Sequence, residues 1–276
     1  MKLERGQTVL LTGASGGLGS YLAPAFAARG VNLMLTAFPG IGLEDLKRTV
    51  EQQGIQAHAL AADLREPEQR HIIVEETLRR FGQIDVLINN AGVELTAMYH
   101  TMPEQTVRDI LAINLESAML LTRLVIPGML ERRRGHIVCM SSLAGKSGPA
   151  LQEPYAATKA GLVGFVTALR GSYRHLGVSA SVICPGFVEA GIYARLKQRS
   201  GKSAPVLLSA VEPEAVARGV VRAVEKDLPQ VILSRYPVRP LLAVTEMFPR
   251  LGEWLTGLTG ANDFFRAVEE KPKGKG

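Results

Sequence analysis

Residues 7–19 read QTVLLTGASGGLG, a strand-like run followed at once by a loop rich in glycine. The run 7–12 predicts a buried β-strand, and residues from about 17 to 29 predict the helix that follows it. Glycine suits a tight strand-to-helix turn because it adopts backbone angles that other residues avoid. Such a loop also presents backbone N–H groups and a helix N-terminus to a bound phosphate. The segment therefore indicates a dinucleotide-binding loop, and the alternative is a glycine-rich turn without a ligand.

The whole chain continues this alternation of strand and helix. Further strands are predicted at 31–36, 57–61, 84–89, 136–140, 178–184 and 230–234. Further helices are predicted at 43–53, 67–81, 103–133, 154–176 and 211–226. Near-continuous apolar strands separated by amphipathic helices are typical of a parallel sheet that is covered on both faces. The predicted fold class is therefore α/β: a doubly wound, Rossmann-type parallel sheet of about seven strands with helices on both faces.

Two segments interrupt the alternation. Residues 187–209 form a polar stretch between the sixth strand and the next helix. Residues 236–276 follow the last strand, and we assign them to a helical C-terminal extension of a dinucleotide-binding catalytic domain at 1–235. Apolar residues recur at helical spacing in the extension: Leu241, Val244, Phe248, Leu251, Leu255 and Leu258. Pro249 and Gly252 are expected to interrupt the helix, and residues 271–276 are expected to be disordered.

Composition narrows the functional classes. The 276 residues carry a formal net charge of +6. A mildly basic surface suits an anionic ligand such as a dinucleotide, whereas the lack of an aromatic-interleaved basic stripe argues against nucleic acid. We find no apolar signal segment and no uncharged run of about 18 apolar residues, which predicts a cytoplasmic protein without a membrane span.

The two cysteines of the chain are Cys139 and Cys184. Both fall in predicted strands, and their spacing is not that of metal ligands. They suggest packing residues in a reducing compartment, with no metal site. A disulfide between them is left open by the sequence.

The residue at the end of the second strand indicates whether NAD or NADP is the cofactor. An acidic residue there would bind the ribose 2′-hydroxyl of NAD, whereas a basic residue would suit the 2′-phosphate of NADP. Ala37 and Phe38 occupy this place and are neutral, as is Gly16 in the loop. The absence of an acid removes a repulsion against NADP without adding an attraction. We expect NADP, with NAD as the alternative.

A second group of residues indicates proton transfer. Tyr155 and Lys159 stand at i and i+4 near the start of a predicted helix, so they share one face. An ammonium beside a phenol favours the phenolate and lowers its pKa. Ser142 follows the strand 136–140, and ligands bind at the carboxyl ends of parallel strands, so its hydroxyl is a candidate to hold a substrate carbonyl. The alternative is that this serine only caps a loop.

Two asparagine-containing segments belong with this group. Asn89-Asn90-Ala91-Gly92 follows another strand at the same edge of the predicted sheet. Asn114 lies among apolar residues inside the long helix, where asparagine is a mediocre helix former. That setting predicts a buried hydrogen-bonding role, and a surface position is the alternative.

In their order along the chain, these residues resemble the short-chain dehydrogenase/reductase family over about residues 5–234. Residues 12–19 match its TGxxxGxG cofactor loop, residues 89–92 match its NNAG segment, and residues 185–186 match its Pro-Gly turn beside the nicotinamide. The family's catalytic tetrad is matched by Asn114, Ser142, Tyr155 and Lys159. The cofactor-binding residues that follow from the loop and the resemblance are Gly13, Ser15, Gly16, Gly17, Leu18, Gly19, Ala37, Phe38, Asp63, Leu64, Asn90, Ala91, Gly92, Tyr155, Lys159, Pro185, Gly186 and Val188.

The resemblance implies a role for each member of the tetrad. Ser142 holds the substrate oxygen, and Tyr155 gives a proton to the carbonyl in reduction or removes one from the alcohol in oxidation. Lys159 lowers the pKa of Tyr155 and hydrogen-bonds the nicotinamide ribose, and Asn114 holds a water that links Lys159 to solvent. One departure is Ala190, which stands where the family has a threonine that contacts the nicotinamide amide.

The family's substrate lid follows its Pro-Gly turn, which places the lid of this chain at 187–209. Apolar lid residues predict an apolar ketone or secondary alcohol, lipid-like or steroid-like: Ile192, Tyr193, Leu196, Val206 and Leu207. Three roles stay open for the extension at 236–268: packing on its own or a partner subunit, covering the substrate site, or peripheral association with a membrane.

The predicted function is an oxidoreductase that moves a hydride between NAD(P)(H) and a small-molecule carbonyl or secondary alcohol. A non-catalytic dinucleotide-binding sensor or scaffold is one alternative, and an isomerase or lyase with retained cofactor is another. By analogy with the family, we expect a homodimer or homotetramer built on the helices around 109–129 and 156–176.

Overall fold

The computed structural model describes residues 1–40 and 42–270. Its strands are β1 (Thr8–Thr12), β2 (Asn32–Ala37), β3 (Ala57–Ala61), β4 (Val86–Asn89), β5 (Gly135–Met140), β6 (Val178–Pro185) and β7 (Gln230–Leu233). They form one parallel sheet in the order β3-β2-β1-β4-β5-β6-β7. Each strand coincides with a predicted strand to within two residues at either end.

Helices connect the strands and continue after the last one. They are α1 (Gly19–Ala27), α2 (Leu43–Glu51), α3 (Pro67–Phe81), α4 (Glu104–Leu111), α5 (Ser117–Glu131), α6 (Glu153–Tyr173), α7 (Gly191–Ser200), α8 (Pro213–Glu225), α9 (Arg239–Met247), α10 (Pro249–Leu258) and α11 (Ala261–Glu270). Pro67 and Pro213 occupy the first turns of α3 and α8, where a missing N–H costs no helical hydrogen bond.

The two faces of the sheet are covered by different helices. On one face, Leu22 and Phe26 of α1 and Val220 of α8 are fully buried. On the other face, α3, α5 and α6 bury Ile73, Leu121 and Leu162. Alternate side chains of β1 belong to the two cores, Val9 and Leu11 to the first and Leu10 to the second. The predicted doubly wound α/β fold is confirmed.

The strand order also decides where a ligand can bind. β1 pairs with β2 on one side and with β4 on the other, so the direction in which successive strands are added reverses between β1 and β4. At such a reversal the helices leave on opposite faces, and a crevice opens beyond the carboxyl ends of the strands. The glycine loop after β1 and Asn89–Gly92 after β4 both lie at this crevice.

The predicted helix at 103–133 is interrupted by a π-helical turn at Ala112–Glu116 between α4 and α5. Such turns are rare and often occur at functional sites. Taken together, α4, the π-helical turn and α5 span Glu104–Glu131, which is long and apolar enough by composition to cross a membrane. In the fold, however, α5 packs Leu121, Val125 and Met129 into the core beneath the sheet.

The lid segment contains a helix that the sequence analysis did not predict. α7 occupies Gly191–Ser200, and a short 3₁₀ turn follows at Val206–Leu208. Tyr193 and Leu196 of α7 are buried, Val206 is exposed, and the side chain of Leu207 lies outside the described part of the chain.

The C-terminal extension is helical, as predicted. Its first break falls at Phe248, and Pro249 opens α10, which agrees with the expected interruption. The interruption expected at Gly252 is wrong, because Gly252 lies inside α10 where α9 crosses it closely. A Cβ on Gly252 would lie 2.4 Å from Cγ2 of Thr245, so this glycine permits helix contact instead of ending the helix. Residues 271–276, expected to be disordered, lie outside the described residues.

The last helix of the extension is anchored on the lid. Phe264, Phe265 and Val268 of α11 are buried together with Tyr193 and Leu196 of α7. The ring of Phe187, at the start of the lid, lies 5.0 Å from that of Tyr193 and 5.3 Å from that of Phe264 between centroids. Cys139 and Cys184 are buried and free, so the disulfide that the sequence left open is not formed.

Candidate active site

The glycine loop is shaped by two close backbone approaches. Gly13 has a φ of +63°, and a Cβ there would lie 2.8 Å from the Cα of Ala91. A Cβ on Gly19 would lie 2.1 Å from the carbonyl oxygen of Gly13. Because neither place has room for a side chain, β1, the loop and the start of α1 pack tightly together.

The segment after β4 holds this loop in place. Asn90 Nδ2 donates to the carbonyl oxygens of Thr12 and Gly13, at 3.0 and 3.1 Å. Thr12 Oγ1 accepts hydrogen bonds from the backbone N–H groups of Asn90 and Ala91, at 3.0 and 3.1 Å. The NNAG segment therefore fixes the loop directly through hydrogen bonds.

Tyr155 and Lys159 are buried one turn apart on α6. Lys159 Nζ lies 5.4 Å from the centre of the Tyr155 ring and donates to the carbonyl oxygen of Met140 at 2.8 Å. Gly92 leaves room for this ammonium, since a Cβ there would lie 3.4 Å from Nζ and 3.5 Å from Asn114 Oδ1. The lysine thus reaches the ends of β4 and β5.

Asn114 lies in the π-helical turn and is buried. Its side chain pairs with the backbone of Val93: Oδ1 accepts from the N–H, and Nδ2 donates to the carbonyl oxygen, both at 2.8 Å. Nδ2 also donates to Thr158 Oγ1 at 3.3 Å. Asn114 therefore ties the segment after β4 to α6. Its water-holding role stays a prediction.

The two serines after β5 have different neighbours. Ser141 Oγ donates to the carbonyl oxygen of Lys159 at 2.7 Å and is buried. Ser142 Oγ accepts from the N–H of Ala144 at 3.1 Å and lines the same cavity as Tyr155. Ser142 therefore caps the 3₁₀ turn Leu143–Gly145 and also borders the cavity, which combines the two sequence interpretations.

One cavity of about 340 Å³ connects these features. Of the predicted site residues, it is lined by Gly13, Gly16, Gly17, Leu18, Asn90, Ala91, Gly92, Ser142, Tyr155, Lys159, Pro185, Gly186 and Val188. Gly19 and Asn114 stand behind this wall and support it. Ser15, Ala37, Phe38, Asp63 and Leu64 lie outside the cavity wall. The structure thus brings the loop and most of the tetrad to one space.

Comparison with known proteins decides the family. Residues 7–201 match the short chain dehydrogenase family. The chain belongs to the short-chain dehydrogenase/reductase family. The ketoacyl reductase HetN of Nostoc sp. is 37% identical over 265 residues, which cover 94% of this chain and 91% of HetN. The 3-oxoacyl-[acyl-carrier-protein] reductase FabG of Escherichia coli is 32% identical over 203 residues, 73% of this chain and 82% of FabG.

A solved structure agrees with these relatives. The actinorhodin polyketide ketoreductase with NADPH superposes with a TM-score of 0.77 at 26% identity, over 83% of this chain and 95% of that one. This short-chain dehydrogenase/reductase is accordingly an NAD(P)-dependent oxidoreductase that interconverts carbonyl and CH–OH groups, as predicted. The sensor or scaffold alternative finds no support.

The residues of the loop fit an NAD(P) diphosphate. Gly13, Gly16 and Gly17 present backbone to the cavity, next to the N-terminus of α1, which is the arrangement that binds phosphate. A Cβ on Gly16 would lie 3.1 Å from the carbonyl oxygen of Gly13, a tight contact, so this position also favours glycine. Ala190 also lines the cavity and has no hydroxyl to offer there.

Burial is the largest influence on the pKa values of Tyr155 and Lys159 on α6. It raises the pKa of Tyr155 to about 12, with the Ser142 hydroxyl acting against this and the charge of Glu94 adding to it. Burial lowers the pKa of Lys159 to about 8. Desolvation of the phenol therefore dominates the pKa of Tyr155, while the Lys159 ammonium donates to the carbonyl oxygen of Met140. The lowering of this pKa by Lys159 stays a prediction. At neutral pH Tyr155 is a protonated phenol.

Four of the predicted cofactor-binding residues lie at or just beyond the ends of β2 and β3: Ala37, Phe38, Asp63 and Leu64. Phe38 is exposed there, and the guanidinium of Arg65 lies 6.0 Å from the centre of its ring. Arg65 also pairs with Asp63 at 2.6 Å and with Asp109 at 3.2 Å. A hydrogen bond from Arg65 lowers the pKa of Asp63. Arg65 was not predicted from the sequence, although it directly follows Asp63 and Leu64, which were both predicted to bind the cofactor.

Two further sets of residues were missed. Glu94, Thr96 and Gln152 form a hydrogen-bonded group beside Tyr155. Their signals were weak: Glu94 stands two residues after the NNAG glycine, and Gln152 three before the tyrosine. The extension also lines the cavity, through Leu241, Leu242, Thr245, Thr256, Thr259, Ala261, Asn262 and Phe265. Of the three roles left open for the extension, it therefore covers the site while packing on its own chain.

Proposed function

We propose that this short-chain dehydrogenase/reductase reduces the ketone of a 3-oxoacyl thioester, with NADPH as the preferred reductant. The observation that carries the proposal is the shared cavity, in which Ser142, Tyr155 and Lys159 face a wall of apolar side chains from the lid and the extension. Leu241, Leu242 and Phe265 suit an acyl chain. The relatives named as ketoacyl reductases support a 3-oxo group as the reacting centre.

Each residue of the tetrad is assigned one task. When bound, the nicotinamide supplies the hydride that the carbonyl carbon receives. Ser142 donates a hydrogen bond to the carbonyl oxygen and holds it beside Tyr155. The Tyr155 hydroxyl gives its proton to that oxygen as the alcohol forms. Lys159 places a positive charge near the phenolate that remains, and Asn114 keeps the backbone around Val93 in position for it.

The reductive direction is supported by the relatives, since HetN and FabG are both named as reductases. In that direction Tyr155 acts as the acid. Its pKa is raised to about 12 by burial, so the phenol carries the proton at neutral pH.

Preference for NADPH rests on the end of β2. No carboxylate stands at Ala37 or Phe38 to repel a 2′-phosphate. Arg65 lies over the Phe38 ring and is the charged group beside that place, although Asp63 and Asp109 share its guanidinium. Arg65→Met should therefore weaken NADPH binding more than NADH binding.

Two titrations and one substrate series test the proposal. NADPH and NADH are first titrated separately into the protein, with nicotinamide fluorescence as the signal. NADPH oxidation is then followed with 3-oxoacyl thioesters of increasing chain length and with a bulky cyclic ketone. We expect kcat/KM to rise with acyl length and to exceed that of the cyclic ketone. Tight NADPH binding without turnover of any thioester would overturn the assignment, and turnover without net NADPH oxidation would indicate an isomerase or lyase.

Location and assembly remain proposals. The buried free thiols of Cys139 and Cys184 suit a reducing compartment, and we propose the cytoplasm. We also propose a homodimer or homotetramer through the helices around 109–129 and 156–176. The exposed apolar side chains Leu111 and Met119 on that first helical stretch support it. Sedimentation equilibrium with Met119→Glu tests the assembly, since a charge in the interface should shift the protein toward monomer.

Peripheral membrane association of the extension also stays a prediction. Large apolar side chains of α9 and α10 are exposed: Met247, Phe248, Leu251, Trp254 and Leu258. An amphipathic helix with tryptophan and leucine on one face binds at a bilayer surface. Trp254 is the single tryptophan of the sequence, so its emission reports on this surface without labelling. A blue shift on adding anionic phospholipid vesicles supports association, and an unchanged spectrum contradicts it.

A further inference from the structure

Gln152 is a buried amide at the edge of the cavity. Only 3% of its surface is exposed to solvent, and it borders the same space as Ser142 and Tyr155. It precedes α6 directly, three residues before Tyr155, and its carbonyl oxygen accepts from the N–H of Ala156 at 2.8 Å. A polar side chain buried at this depth needs partners for its hydrogen-bonding groups.

Both N–H groups of this amide have partners. Gln152 Nε2 lies 3.0 Å from Glu94 Oε2 and 3.2 Å from Thr96 Oγ1. Thr96 Oγ1 itself donates to Glu94 Oε2 at 3.1 Å, so the threonine oxygen is left to accept from the amide. An ionised carboxylate can only accept hydrogen bonds, which forces the NH₂ end of Gln152 toward Glu94.

The oxygen of the amide is the remaining group. Among the residues that the structure describes, Gln152 Oε1 has no hydrogen-bond donor. Exchanging the two ends of the amide would place its oxygen against Glu94 Oε2 and would lose the hydrogen bond that Nε2 donates there. Gln152 therefore adds to the cavity wall an acceptor oxygen whose direction is set by Glu94 and Thr96, beside the donors Ser142, Tyr155 and Lys159.

The backbone around Gln152 is also unusually constrained. Leu151 has a φ of +66°, a conformation that costs a branched side chain free energy. Its carbonyl oxygen accepts from the N–H of Ala97 at 3.2 Å, and the N–H of Ala150 donates to Asn262 Oδ1 of α11 at 3.0 Å. Contacts from the segment after β4 and from the extension thus hold Gln152 in place. Strained residues of this kind cluster where a side chain must be presented to a ligand.

We propose that Gln152 determines substrate specificity by accepting, through Oε1, a hydrogen bond from a donor group of the substrate. Glu94 and Thr96 act as positioning residues that fix the direction of the amide. The inference rests on the proposed function, and the corresponding donor of a 3-oxoacyl thioester is the amide N–H in a pantetheine-type thiol arm. Substrates without an N–H would make no hydrogen bond to this oxygen, and a site that is built to form such a bond discriminates against them.

Two matched substrates test this inference. A 3-oxoacyl thioester of N-acetylcysteamine carries the amide N–H, and the S-butyl thioester of the same acyl group lacks it. The full-length protein should have a kcat/KM roughly tenfold higher for the first substrate, as one hydrogen bond provides. Gln152→Leu should reduce that preference to near unity. Gln53 is exposed and is not part of the cavity wall. Gln53→Leu is therefore the control, and this variant should retain the preference.

A second pair of variants tests the positioning role. Glu94→Gln and Thr96→Val keep Gln152 but release its orientation, so each should reduce the preference between the two thioesters. A merely structural role would lower turnover of both substrates equally, and NADPH binding reports whether each variant is folded. The inference is overturned if the wild-type protein turns over both thioesters equally, or if Gln152→Leu keeps the preference. Failure to turn over either thioester would instead contradict the proposed function.

Discussion

The backbones of Gly17 and Gly191 are in contact, since a Cβ built on Gly17 would lie 2.2 Å from both N and Cα of Gly191. Gly17 belongs to the glycine loop, and Gly191 begins the lid helix α7 with a φ of +55°. The loop that is predicted to bind phosphate and the predicted lid segment are therefore in contact through two residues without side chains. In addition, α11 packs against α7, so the C-terminal extension, the lid and the loop form one continuous wall.

A side chain at position 17 should push the glycine loop and the lid helix α7 apart. We expect Gly17→Ala to displace the start of α7. The overpacking should destabilise the contact between the glycine loop and α7 by about 1–3 kcal/mol. The Kd for NADPH should rise roughly tenfold, as a cost near the lower end of that range implies. Gly164→Ala on α6 is the matched control, because a Cβ there meets nothing within 4 Å. Equal NADPH affinities for the two variants would show that the contact has no role in binding.

Removal of the Tyr155 hydroxyl should abolish proton transfer while leaving the fold intact. We expect Tyr155→Phe to lower kcat by roughly 10²- to 10⁴-fold, the usual contribution of a general acid. NADPH should still bind, since the glycine loop is untouched. Tyr173→Phe, at the far end of the same helix, serves as the comparison and should keep full activity. If kcat of Tyr155→Phe stays within roughly threefold of the wild-type value, Tyr155 is not the general acid.

The charge of Glu94 should be visible in the pH profile. Its carboxylate adds to the raised pKa of Tyr155, after burial, and burial also raises the pKa of Glu94 itself. In alcohol oxidation Tyr155 acts as a base, so the rate rises as pH passes through its pKa. Glu94→Gln removes a negative charge that disfavours the phenolate, and the alkaline limb should therefore move to lower pH. Glu51→Gln at an exposed position should leave the limb in place, and a shift to higher pH in Glu94→Gln would contradict the argument.

Asp227 should stabilise the edge of the sheet at neutral pH. Burial alone would raise the pKa of this carboxyl, but hydrogen bonds from Arg170, Ser179 and Arg174 hold it well below its usual range. A carboxyl with a lowered folded-state pKa stabilises fully above its unfolded-state pKa of about 3.9 and loses that effect as pH falls toward the folded-state value. The stabilisation is therefore present at neutral pH and is lost under acid conditions.

Urea unfolding of Asp227→Asn checks this expectation. Asparagine tolerates the φ of +52° at this position, so the variant removes mainly the charge. We expect a loss of about 1–3 kcal/mol at neutral pH, with the difference from wild type shrinking below about pH 4. Asp45→Asn on the exposed face of α2 should change the stability by less than about 0.5 kcal/mol. A constant difference at all pH values would mean that the carboxylate charge is irrelevant.

The sequence predicted the parts of the site that depend on neighbours in the chain. The glycine loop after β1 and the i, i+4 relation of Tyr155 and Lys159 were readable because backbone geometry alone sets them. The π-helical turn at Asn114 was hidden inside an ordinary helical pattern. Gly252 was misjudged because its effect depends on Thr245 of α9, and a glycine within a helix either weakens it or permits a close crossing.

Periodicity by itself determined the fold class, and the order of the motifs determined the resemblance to the family. The dinucleotide loop and the tetrad follow from that resemblance as predictions. The tertiary structure decided that the extension lines the cavity, that Gln152 pairs with Glu94 across 58 positions of the chain, and that burial raises the pKa of Tyr155. The reason is physical. Strand and helix patterns follow from local backbone and side-chain geometry, whereas desolvation and hydrogen-bond partners depend on which distant residues the folded chain brings together.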